Sequence, residues 1–136
     1  MPAVRATPPR PSAAALRRAL LALAWLPALC AAQLSPVARL EIDGLLRAVG
    51  SSGCEFVRGG TAYNATKAQD HLQQKFDYLD ARAQLQSAED FIAKAATRSS
   101  MTGEAYAIRC AGAAAQPSED WMRARLKALR AARPRP

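Results

Sequence analysis

The sequence has a single histidine, His71, and three cysteines, Cys30, Cys54 and Cys110, with no Cys-x-x-Cys pair. One histidine and widely spaced cysteines make a poor tetrahedral zinc shell, and a dithiol redox motif is missing. No metal and no cofactor is expected. No Gly-x-Ser-x-Gly elbow is present either, so no serine carries the strained turn that exposes many nucleophiles. The apolar run Ala19–Leu26 stops at Pro27, well short of the roughly 20 residues that span a bilayer. No internal repeat is visible.

What is abundant is positive charge, at +8 for 136 residues. Its distribution argues against nucleic acid as a partner. Arg5, Arg10, Arg17 and Arg18 lie at the start, and Arg123, Arg125, Lys127, Arg130, Arg133 and Arg135 lie in the last turns and tail. Between residues 33 and 120, 9 basic side chains face 11 acidic ones. A nucleic-acid binder shows a basic stripe with stacking or groove-reading elements; here the excess is one C-terminal patch. That patch suits phosphate, lipid headgroups or an acidic envelope polymer, and it equally suits an ordinary solvated helix face.

The early arginines, the apolar stretch Ala19–Leu26 and the small residues Ala31 and Ala32 have the layout of a secretory signal. Residues 1–32 are expected to be a signal peptide cleaved before Gln33, with Cys30 and Ala32 at the −3 and −1 positions. The alternatives are an uncleaved anchor, a lipid-modified Cys30 and a twin-arginine signal. They are disfavoured respectively by the short run, by Leu29 before Cys30 and by Leu16 before Arg17-Arg18. Export predicts a periplasmic or secreted protein without a transmembrane segment in its mature form. It leaves Cys54 and Cys110, which in an oxidising compartment read as one disulfide.

The mature chain is expected to form one domain over residues 33–131, followed by a frayed tail over 132–136. Ser35-Pro36 starts a helix, with a cap residue followed by proline at the first helical position. Ala38, Ile42, Leu45, Leu46 and Val49 fall on one face, and Gly50 is expected to supply a left-handed stop. Residues 54–63 read as a hairpin around Gly59-Gly60, pairing Arg58 with Thr61 and Phe56 with Tyr63. Asn64 caps a second helix with the stripe Ala68, Leu72, Phe76, Leu79 and Ala83; Asn64-Ala65-Thr66, a glycosylation sequon, is read only as that cap. Ser87-Ala88-Glu89-Asp90 opens a third helix that buries Phe91, Ile92 and Ala95. Residues 104–110 alternate as a strand, placing Tyr106, Ile108 and Cys110 together. Ala111 to Gln116 is a linker. Pro117-Ser118-Glu119-Asp120 begins a last helix that buries Met122, Leu126 and Leu129. The sum is an α+β fold: a small antiparallel sheet, hairpin plus one later strand, packed with about four helices and tied by one disulfide. The alternative is a mostly helical fold carrying one hairpin.

Laid out this way, the chain resembles the YfeK-like family of small exported bacterial proteins, the domain of unknown function 5329. The matching residues are Ile42 with Leu45-Leu46, Ser51-Ser52-Gly53-Cys54, Phe56, Arg58 and Gly60. They continue through Ala68, His71-Leu72, Lys75, Glu89, Phe91-Ile92, Ser99-Ser100, Thr102-Gly103, Tyr106 and Cys110, spanning most of residues 40–110. Gly59 stands where the pattern has asparagine. The resemblance implies export, a Cys54–Cys110 bond and a single domain, and brings no activity with it.

His71 and Lys75, four residues apart, project from one side of the second helix. With Arg58 they form a candidate anion-binding edge in which His71 is protonated; the bland reading is a partly exposed pair covering the sheet edge. Arg58, His71, Lys75 and Tyr106 are the candidate binding residues, and none is assigned a catalytic role. The leading expectation is a non-enzymatic binding domain whose partner is a cell-envelope protein or anionic envelope polymer. One rival is a small envelope hydrolase using His71 and a serine such as Ser99 or Ser100. Another is anionic surface binding through the basic C-terminal helix.

Overall fold

The computed structural model describes residues 5–9 and 33–134. Apart from residues 5–9, the expected leader lies outside the described residues, as do Cys30 and tail residues 135–136. Among the described residues no helix is long and apolar enough to cross a membrane.

Helix α1 (Pro36–Gly50) begins as its residues dictate. The Ser35 hydroxyl accepts the Ala38 N–H and Pro36 sits in the first turn. The stripe Ala38, Ile42, Leu45, Leu46 and Val49 is buried. Gly50 is not the expected left-handed stop. It is the last helical residue, Ser51 caps the helix in the right-handed region, and the first positive φ falls at Gly53. Across the interface, a Cβ on Gly50 would run into the side-chain amide of Gln69 on the next helix. That amide is the movable end of a long side chain, so Gly50 lets Gln69 lie against α1 without being demanded by a turn.

Strands β1 (Glu55–Arg58) and β2 (Thr61–Tyr63) form the expected hairpin, with Phe56 opposite Tyr63 and Arg58 opposite Thr61. Gly59 and Gly60 have φ of 56° and 75°, as a type I′ turn demands. Strand β3 (Ala107–Arg109) lies antiparallel to β1 with Ile108 opposite Phe56. It is shorter than the alternation from Glu104 suggests. Tyr106 donates its N–H to Thr97 and Ser99 donates to Glu104, so the first half of that segment pairs with the chain before it rather than with β1. A fourth strand, β4 (Gln116–Pro117), occupies the end of the expected linker and completes the sheet order β2-β1-β3-β4. Pro117 is tolerated there because an edge strand can forgo a ladder donor.

The register that pairs Glu55 with Arg109 brings Cys54 opposite Cys110. Their disulfide joins neighbouring strands with Cα atoms 4.3 Å apart across a sequence separation of 56 residues. A loop of that length contributes about 4 kcal/mol in the chain-entropy account.

Helix α2 (Ala65–Asp80) is capped by Asn64, whose side-chain oxygen accepts the Lys67 N–H. Ala68, Leu72 and Phe76 are buried and Leu79 is partly so. Ala83 does not extend the stripe. The helix has already ended, and Ala83 is exposed with φ 52°. Gln84 N–H bonds back to Leu79 and Ala83 N–H to Asp80, the paired pattern of a left-handed helix stop usually built on glycine. Leu85 fills the core instead.

In α3 (Ala88–Phe91) the Ser87 hydroxyl accepts the Asp90 N–H, and the Asp90 carboxylate accepts the N–H of Gln86. The chain then widens into a π-turn over Ile92–Ala96, closed by the Thr97 hydroxyl donating to the Ile92 carbonyl.

Helix α4 (Ser118–Ala132) buries Met122 and Leu126, with Leu129 partly covered. It also buries Trp121, edge-on to Phe56 at 6.1 Å. Its basic residues are largely engaged. Arg123 pairs with Glu119, and Arg125 stacks over Trp121. Arg130 binds both carboxylate oxygens of Glu41 at 2.9 and 3.0 Å and reaches Glu89 at 2.6 Å. Glu41 is only 6% exposed, so Arg130 satisfies a carboxylate that the α1–α4 interface has taken from water.

Candidate functional site

The open side of the hairpin and one flank of α2 enclose a cavity of about 260 Å³. Phe56, Val57, Ala68 and Leu72 supply its apolar walls, and Tyr63 and Tyr106 its aromatic ones. Ser118, at the start of α4 and 1% exposed, also lines it.

Arg58, His71 and Tyr106 line this cavity, and Lys75 joins them from beside it through the Tyr106 hydroxyl. Arg58 extends from the last position of β1. His71 and Lys75 lie one turn apart on α2, and Tyr106 leads into β3. Arg58 Nη1 lies 3.0 Å from His71 Nε2 and 3.3 Å from Nδ1, and the Tyr106 hydroxyl lies 3.4 Å from Nε2. Lys75 Nζ donates to the Tyr106 hydroxyl at 3.3 Å and to the Arg98 carbonyl at 3.1 Å. The guanidinium of Arg58 also sits 5.2 Å from the Tyr63 ring centroid, and Lys75 Nζ 5.0 Å from that of Tyr106. These stackings hold the cations by their faces and leave donor hydrogens free.

An Nη1 that close to both ring nitrogens lies against the ring rather than along one lone pair, so it does not fix which nitrogen carries a proton. The surroundings weigh against the protonated His71 expected from the sequence. Burial first, then the charges of Arg58 and Lys75, hold the His71 pKa below its ordinary value. Lys75 is lowered in turn by burial and by Arg58. Arg58 is raised, chiefly by the neighbouring Tyr63 side chain. The edge therefore sets the Arg58 guanidinium and the Lys75 amine beside an imidazole whose protonation they oppose.

None of these three basic groups is in an ion pair among the described residues. Every salt bridge there involves Arg39, Arg109, Arg123, Arg130 or Arg133. The acidic side chain lining the cavity is Asp70, which is exposed.

Lys67, Tyr63 and Ser118 are among the cavity residues that sequence reasoning did not assign to the site. Lys67 extends the His71–Lys75 row by another four positions, a spacing visible in the sequence. Tyr63 was signalled by its cross-strand pairing with Phe56. Ser118 had no signal, because only the tertiary fold brings the start of α4 here. Of the serines considered for hydrolysis, Ser99 is occupied in its own turn, where its hydroxyl accepts the N–H groups of Met101 and Thr102. No group of three or more metal-ligating side chains converges among the described residues.

Fold and site together define a small disulfide-tied α+β domain with a basic, half-apolar cleft beside its sheet. The chain belongs to the family of unknown function DUF5329, whose sequence pattern matches residues 36–130. The match takes in α1 through most of α4, beyond the 40–110 stretch that carries the resemblance. No curated protein and no solved structure matches the chain.

Proposed function

We propose that this chain is an exported, non-enzymatic binding domain of the cell envelope, and that it holds an anionic group of its partner on Arg58, His71, Lys75 and Tyr106. The observation that carries the reading is the cluster of Arg58, His71 and Lys75, joined through Tyr106 beside one cavity, with no carboxylate paired to it among the described residues. Such a cluster costs stability, because like charges share a half-buried place. Groups perturbed in this way concentrate at functional sites. An anion entering the cleft supplies the missing counter-charge.

Export rests on the leader pattern of residues 1–32, on the cysteine pair and on the resemblance to YfeK-like exported proteins. The Cys54–Cys110 bond fits an oxidising compartment. The envelope fraction is expected to contain a chain beginning at Gln33 with no free thiol, as read by intact mass before and after alkylation. A chain retaining its first residues contradicts export.

Binding is favoured over hydrolysis by the surroundings of His71. A general base must become an imidazolium, and a carboxylate normally stabilises that charge. Here His71 contacts Arg58 and Tyr106, which oppose protonation or leave it uncompensated. Surface binding through α4 is weakened because Arg123 and Arg130 are already paired.

The test is titration of the folded domain with sodium acetate and inorganic phosphate, read on the His71 ring signals by NMR. Saturable shifts that disappear in an Arg58→Gln/Lys75→Gln variant support the site. Shifts that persist in that variant place anion binding elsewhere.

A further inference from the structure

The cavity beneath the cationic rim is more apolar than anion binding alone requires. Phe56, Val57, Ala68 and Leu72 line it, and a site for a bare inorganic ion has no use for such walls. Its volume of about 260 Å³ holds about nine water-sized groups at about 30 Å³ each. The ligand therefore has a body as well as a head.

The head also has a definable charge. Arg58 presents a planar fork suited to a carboxylate. A phosphate dianion usually gathers several backbone N–H groups at a helix start. The α4 start reaches this cavity through Ser118, but the Ser118 N–H is already bonded to the Tyr106 carbonyl at 2.9 Å. Asp70 on the rim further opposes a doubly charged head.

Building on the anion-binding reading above, we infer that the cleft takes an apolar carboxylate: one carboxylate on Arg58 and on the Tyr106 hydroxyl that Lys75 supports, with an acyl or similarly compact body against Phe56, Val57 and Leu72. The same chemistry occurs in a free short-chain acid and in the C-terminal residue of a polypeptide. In either, the body contributes through desolvation and the head through charge-assisted hydrogen bonds.

Isothermal titration of the unmodified domain compares hexanoate, hexanamide, acetate, inorganic phosphate and N-acetyl-leucine. Hexanoate is expected to bind about tenfold more tightly than hexanamide, which lacks the charge, and about tenfold more tightly than acetate, which lacks the body. An Arg58→Gln variant is expected to lose that preference over the amide. N-acetyl-leucine binding more tightly than hexanoate assigns the ligand to a chain terminus, and the reverse assigns it to a free acid. Acetate and phosphate binding as tightly as hexanoate overturns this inference and leaves the anion-binding reading standing. Hexanamide binding within about twofold of hexanoate, or no binding by any of the acids and phosphate, overturns both.

Discussion

Arg58 on β1 and His71 on α2, thirteen residues apart in sequence, meet with Nη1 3.0 Å from Nε2 and 3.3 Å from Nδ1. This contact sets a guanidinium against the imidazole and opposes its protonation. The hairpin register places Arg58, the cap at Asn64 sets the rotation of α2, and the site follows from their meeting.

Stability is expected to depend on His71 in a defined pH window. Its folded pKa lies below the ordinary 6.5, so between those two values the unfolded chain binds more protons than the folded one. Stability attributable to His71 is unaffected above about pH 6.5 and falls as pH drops below it. Groups facing the ring are Arg58 from β1, Lys75 from α2 and Tyr106 from the segment before β3, and none is a carboxylate. Urea unfolding at several pH values is expected to show a shallower acid loss in His71→Gln than in the wild type; parallel curves contradict the depressed pKa.

Removing the Lys75 charge is expected to separate stability from binding. Lys75→Met keeps the stem against Tyr106 and removes an ammonium whose charged form is disfavoured by burial and by Arg58. The variant is expected to be more stable by up to about 1 kcal/mol, in the manner of substitutions that relieve a functional site. Its affinity for acetate falls at the same time. Equal losses in denaturation midpoint and in binding point instead to a purely structural lysine.

Glu41 and Glu89 share Arg130 but are expected to differ in weight. Glu41 is nearly buried and holds the guanidinium with both oxygens, whereas Glu89 is exposed and uses one. Glu41→Ala is expected to cost about 2–3 kcal/mol, because it strands Arg130 and opens the interface, and Glu89→Ala less than about 1 kcal/mol. Arg130 holds the Glu41 carboxyl below its usual range. The Glu41 contribution is therefore present at neutral pH and is lost as pH falls through that lowered value. Chemical denaturation of the two variants measures the difference.

Ala83→Gly is expected to stabilise the domain by about 0.5–1 kcal/mol. Ala83 holds φ 52° at the end of α2, where a Cβ costs about 1–2 kcal/mol and glycine's greater unfolded freedom offsets only part of the gain. A shift in urea midpoint at unchanged slope reads it directly.

Much of this was legible because the signals are local. Ser35-Pro36 and Asn64 announced two helix starts, Gly59-Gly60 set the register of Phe56 against Tyr63, and the four-residue spacing of His71 and Lys75 put both on one flank. What could not be read depends on distant partners. Glu41 and Arg130 are 89 residues apart and meet only when α1 and α4 pack. Gly50 looked like a turn residue but is helical, with the Gln69 side chain resting against it. The short β4 has almost no hydrophobic pattern, and Ala83 is a poor intrinsic choice for the conformation it adopts. Nothing in isolated histidine chemistry signals that an arginine lies against the His71 ring and opposes its protonation.

The most direct test of the account is the NMR titration of the His71 imidazole with and without saturating acetate. The free domain is expected to titrate below 6.5, and acetate to raise that value, since an anion beside Arg58 and Lys75 removes part of what opposes the proton. A ring that titrates at or above 6.5 in the free protein and does not move with acetate contradicts both the neutral imidazole and the anion site built around it.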